Sequence, residues 1–168
     1  MLKSLLLAAT ILAFTAPAYA QQQDAKELLG TWKLVSLKTV SADGKMSTGP
    51  LGDKPEGYVT ITPNRMWLLF IDGTRKAPAT AAPTDAEQIA MMKTNATWTG
   101  TYKTSEQTPD GIKVDAKVDM AVNQSLANTP RIYFMKVVGG KLNVKSTPIV
   151  IPMTGEKAVV QYEMVKAD

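Results

Sequence analysis

From Ile112 to Val122 the chain alternates in steps of two. Ile112, Val114, Ala116, Val118 and Met120 fall on one side, and Lys113, Asp115, Lys117, Asp119 and Ala121 on the other. Period two with one apolar and one charged face predicts a half-buried antiparallel strand. The turn before it, Thr108-Pro109-Asp110-Gly111, has the right chemistry: Pro presets φ and Gly tolerates positive φ. The same reading predicts strands at 31–39, 57–62, 66–72, 98–104, 131–138, 141–146 and 158–165. Asp43-Gly44 and Pro63-Asn64 mark turns, and Gly139-Gly140 makes a two-residue hairpin. One segment breaks the pattern. Thr84-Asp85-Ala86-Glu87 is a capping box, which predicts a helix over about 85–94 with Ile89 and Met92 on one face.

About eight strands joined by short turns predict an all-β, antiparallel up-and-down barrel with one short helix. Closure removes exposed sheet edges. A barrel of about eight strands holds its own side chains or one small ligand. The stretch Met66-Trp67-Leu68-Leu69-Phe70-Ile71 is apolar on both faces, so its outer face needs a cover, and the helix near Ile89 and Met92 is the expected one. Either Trp67, Leu69 and Ile71 or Met66, Leu68 and Phe70 then look inward. The Ala-, Pro- and Thr-rich segment 73–83 reads as a lid over the barrel mouth or as a plain surface connection.

Residues 1–20 stand apart from this pattern. Lys3 gives a positive start, an apolar run covers 5–14, and Ala18-Tyr19-Ala20 fits a small-x-small cleavage site. The run is shorter than the roughly 20 residues that span a bilayer. The expectation is a signal peptide cleaved after Ala20, one barrel domain over 21–168, a periplasmic or secreted location and no stable membrane insertion afterwards. The chain has no cysteine, so an exported domain must hold itself together by its core.

The 168 residues carry 19 basic and 15 acidic side chains, a net charge of +4, of which cleavage removes Lys3 to leave +3. The lysines are dispersed and alternate with acids, which speaks for a solvated face and against nucleic-acid binding. With no histidine and no cysteine, the usual zinc ligand sets and the Ser-His-Asp and Cys-His catalytic groups are excluded. No phosphate loop or dinucleotide fingerprint is present. The nine methionines mostly sit at strand spacing, as gap-filling core does. No metal or cofactor is called for. Among the acids, Asp115 and Asp119 alternate outward with lysines, and Glu163 is open to either side.

An apolar site needs aromatic and aliphatic walls with a few polar groups for orientation. The residues expected to line one are Trp67, Leu69, Trp98, Tyr102, Arg131 and Tyr133. If Tyr133 is inside, Arg131 shares its side near one mouth and can pair with a ligand carboxylate. The competing reading places Arg131 on the rim or surface.

The segment "LLGTWKLVSLKTVSADGK", then "GYVTITPNRMWLLF", then "RIYFMKVVGGKLNVKSTP" resembles the bacterial and fungal lipocalin-like domain family over roughly residues 28–164. The resemblance implies a small lipocalin-like barrel, with Gly30 and Trp32 in structural roles at its closed end. Two departures bear on function. Met164 stands where the family commonly has an arginine, and the histidine often found in a middle strand is missing. The combined expectation is a monomeric barrel that binds a small apolar or amphipathic molecule non-covalently, with no catalytic residue assigned. The alternatives are a barrel-pocket isomerase or cyclase using a tyrosine or a buried acid, and a ligand-free structural or adaptor protein.

Overall fold

The structure is a computed structural model that describes residues 25–167; the cleavage site expected after Ala20 lies outside them. The principal strands are β1 (Gly30–Ser41), β3 (Pro55–Ile61), β4 (Arg65–Asp72), β5 (Asn95–Thr108), β6 (Gly111–Ala121), β7 (Pro130–Val138), β8 (Lys141–Ser146) and β10 (Lys157–Lys166). Each pairs antiparallel with the next, and β10 returns to β1, closing an eight-stranded ring. Two short strands, β2 (Met46–Ser47) and β9 (Ile149–Val150), extend β1 and β10. This is the up-and-down barrel that the alternation predicts.

Local irregularities decide which side chains face in. On β6 the pairing with β5 slips between Met120 and Val118, so Asp119 is an extra residue opposite the Thr99–Gly100 step. One inserted residue reverses the alternation beyond it. Met120, expected inside, is therefore 70% exposed. Gly100 makes the close approach possible, because a Cβ there would run into the Lys117 carbonyl. A similar slip between Leu34 and Ser36 of β1 makes Val35 the extra residue and turns Leu37 and Thr39 inward beyond it.

One end of the barrel is filled. Trp32 is buried, its indole N–H donates to the Leu28 carbonyl at 2.8 Å, and the Lys166 ammonium lies 4.4 Å from the ring centre. Burying such a ring removes roughly 150–250 Å² from water, and the cation adds attraction to the ring face. At the same end Leu28, Ile61, Met66, Tyr102, Val114 and Met135 meet with no water-sized space between them. The structural reading of Trp32 accords with this packing.

The helix α1 (Asp85–Lys93) starts at the expected cap: the Thr84 hydroxyl accepts from the Glu87 amide, and the Glu87 carboxylate accepts from the Thr84 amide at 2.7 Å. It does not cover strand β4. No residue of α1 is buried, and Ile89 and Met92 stay about half exposed. Its large apolar residues Ile89, Met91 and Met92 are split between two sides of a nine-residue helix, which leaves too narrow a stripe to anchor it to a sheet.

Candidate functional site

The opposite end of the barrel is incompletely filled. A cavity of about 70 Å³ lies among Leu37, Leu68, Phe70, Trp98, Arg131, Tyr133, Val160 and Tyr162. Its mouth is closed over by Pro50 and Leu51 of the 3-10 turn Gly49–Leu51, and by Ile149 and Ile151–Met153. The segment 73–83, read from the sequence as a lid or a plain surface connection, contributes nothing to the cavity, and neither does α1. Both connections at the mouth are apolar, so they bury Leu51 and Ile151 against the barrel interior, whereas 73–83 is largely exposed.

Two aromatic pairs shape the walls. Trp98 and Tyr133 stack at 6.2 Å with their planes 10° apart, and Phe70 meets Tyr162 edge-on at 5.1 Å. Such offset and edge contacts each add about 0.5–1.5 kcal/mol beyond area burial. Burial pushes the Tyr133 phenol up to about 12, with the Arg131 charge opposing the shift. Burial likewise raises Tyr162 well above 10; the neighbouring Tyr133 adds to the shift and Arg131 opposes it. Both hydroxyls therefore stay protonated at neutral pH.

Arg131 is 7% exposed. It enters from β7 opposite Ala116 of β6, and its Nε has no hydrogen-bond partner among the described residues. The other buried polar side chains are satisfied: the Thr39 hydroxyl bonds that of Ser47 at 2.6 Å, and the Ser146 Oγ accepts from the Val160 amide at 2.8 Å. The cavity wall carries one cation and no carboxylate. Glu163 is on the outside, paired with Lys141 at 2.9 Å. The acid within reach of the cavity that the isomerase reading allowed for is thus not found among the described residues.

The expected lining residues divide three ways. Trp98, Arg131 and Tyr133 come together at the cavity. Trp67 and Leu69, 42% and 47% exposed, point outward and are a correction: Met66, Leu68 and Phe70 are the inward set of β4. The Trp67 and Leu69 side instead forms an outer groove of about 360 Å³ with Met120 and Val122. Tyr102 is also displaced from the site. It sits toward the filled end, where its hydroxyl donates to the Thr62 carbonyl at 2.6 Å and burial raises its pKa. The cavity residues missed by sequence reasoning are chiefly Phe70, Tyr162 and the mouth pair Leu51 and Ile151. Phe70 stood in the alternative face of the ambiguous strand, but the mouth residues lie in connections where no periodicity exists to read.

A closed eight-stranded antiparallel barrel with a small internal cavity at one end belongs to the architectures that enclose small ligands. The lipocalin-like domain matches residues 29–165, and the chain belongs to that family. No curated protein matches the chain in sequence. Among solved structures, it is similar to a de novo designed fluorescence-activating β-barrel at 13% identity and a TM-score of 0.38, over 85% of this chain and 97% of that one. It is also similar to a mutant of the fluorescent protein UnaG at 12% identity and a TM-score of 0.38, over 86% and 99% of the two chains. The barrel assignment rests on the strand ring itself.

Proposed function

We propose that the protein is an exported, monomeric barrel that holds one small apolar or amphipathic molecule non-covalently in the cavity under Leu51 and Ile151. The observation that carries this reading is the cavity itself: the interior between Leu28, Ile61, Met66, Val114 and Met135 at the far end keeps no water-sized space, while this end keeps about 70 Å³ between two aromatic pairs. Ligand sites typically run to about 300–1,000 Å³. The cavity therefore takes part of a molecule, and the remainder lies at the mouth. Export rests on Lys3, the apolar run 5–14 and Ala18-Tyr19-Ala20.

The test is to express the chain with its own leader, purify it without detergent and compare native with denaturing mass spectra. A mature N-terminus at Gln21 and a stoichiometric small molecule released on denaturation are the expected results. Full-length mass in the exported fraction refutes cleavage. A second reading, docking of a partner protein, has its own observation in the exposed outer stripe of Tyr58, Trp67, Leu69, Met120 and Val122. A ligand-free native mass together with a co-purifying protein favours it instead.

A further inference from the structure

Arg131 raises a physical problem that its neighbours do not solve. A guanidinium carries five N–H donors and a permanent charge. Here it is more than nine-tenths buried, its Nε has no partner, and none of the ion pairs among the described residues includes it. Leaving a buried charge uncompensated costs several kcal/mol. The chain keeps arginine there although the flanking inward residues on the same strand, Tyr133 and Met135, are apolar or aromatic. Its neighbours across the ladder and the cavity (Ala116, Tyr133, Phe70, Trp98) carry no negative charge.

We propose that Arg131 is the anion-recognising residue of this cavity, and that the molecule held there is a monocarboxylate with an apolar body. The inference rests on the binding reading above and adds to it the chemistry of the ligand's head. The cavity wall holds one positive charge and no other ionisable group of either sign apart from the two phenols. A single carboxylate neutralises that charge, whereas a doubly charged phosphate monoester would leave an uncompensated negative charge in an apolar wall. A carboxylate matches the planar guanidinium fork. Tyr133 and Tyr162 line the same space, and their phenols are further potential donors. The volume fits the division of labour. About 70 Å³ is roughly half of the 150 Å³ apolar cavity that accepts benzene. It houses a carboxylate and the first carbons, while a longer body runs past Pro50, Pro152 and Met153.

The test uses the full exported chain, stripped of co-purifying molecules, with octanoate and octan-1-ol as matched probes in titration calorimetry. The wild type is expected to bind octanoate on the order of 10- to 100-fold more tightly than octan-1-ol, the scale of a hydrogen-bonded charge pair. Arg131→Met is expected to abolish that difference, chiefly through loss of octanoate affinity. Arg131→Lys, which retains the charge but not the fork, is expected to keep a smaller preference. It also carries the test should the methionine variant lose its barrel circular dichroism. Equal affinity of the two probes for the wild type overturns the assignment of Arg131 while leaving a binding barrel in place. A preference that survives intact in Arg131→Met or Arg131→Lys overturns it as well. Failure of both probes to bind the wild type removes the binding reading together with the carboxylate.

Discussion

In the ligand-free protein, Arg131→Met is expected to raise stability. The arginine is 7% exposed with an unpartnered Nε, so folding strips much of the water from a charge that the unfolded state leaves hydrated. Methionine replaces the aliphatic stem with little change in shape and fills irregular gaps. Replacing even well-paired buried charges by apolar residues is stabilising by about 1–4 kcal/mol in favourable cases, and Arg131 lacks the pairing that would offset its desolvation. For a domain of this size each kcal/mol moves Tm by about 2–4 °C. The middle of the range therefore corresponds to a rise of about 5–10 °C. Urea unfolding followed by tryptophan fluorescence gives the same quantity isothermally, and an unchanged slope assigns the shift to the native state. Octanoate should stabilise the wild type more than the variant, since a molecule shifts the equilibrium only as far as it binds the folded form. A variant less stable than the wild type by about 1 kcal/mol or more, the size of an ordinary satisfied hydrogen bond, refutes the reasoning: the guanidinium would then be a satisfied structural group.

Other consequences of the packing can be measured. Trp67→Thr with Leu69→Thr should change stability by no more than about 1 kcal/mol, since surface replacements stay near 0.5 kcal/mol each; Phe70→Ala on the same strand should cost about 3–5 kcal/mol. Equal effects would reverse the assignment of faces on β4. Gly100→Ala should destabilise by about 1–3 kcal/mol, because the new methyl must displace the Lys117 carbonyl at the bulge; calorimetric Tm checks it, and a neutral result would mean the bulge is soft. Above pH 10 the unfolded state loses the tyrosine proton that folded Tyr133 keeps up to about 12. Between those values the unfolded state binds fewer protons than the folded one. Stability is whole below pH 10 and falls on rising pH by about 1.4 kcal/mol per unit from this group. Alkaline denaturation followed by phenolate absorbance tests this, and a flat stability between pH 10 and 12 contradicts it.

The barrel was legible in the chain because a half-buried strand writes its burial directly into alternate positions. Seven expected strands and the strand 112–122 reappear within a few residues of their predicted ends, and the Thr84–Glu87 cap forms as its spacing requires. These are local rules: a turn residue, a cap and a period of two act over a few residues and need no partner to be read. Trp98, Arg131 and Tyr133 were candidates for the wall on the same basis, but strand 131–138 has mixed faces in the sequence and left Arg131 open between the cavity and the rim.

Three decisions belonged to the tertiary structure. Strand β4 is apolar on both faces, so its sequence carries no preference, and the pairing of Leu68 with Val59 and Trp98 turns Met66, Leu68 and Phe70 inward. The orientation of Met120 depends on one extra residue, Asp119, defined only by which residues of β5 and β6 lie opposite each other. The identity of the incompletely filled end depends on two distant connections, Gly49–Leu51 and the segment 149–153, which meet over the cavity because the ring closes between β1 and β10. Alternation along a strand records that a side chain faces in. Which side chains from remote strands share a cavity, and whether a charge among them finds a partner, is settled by the register and closure of the whole ring.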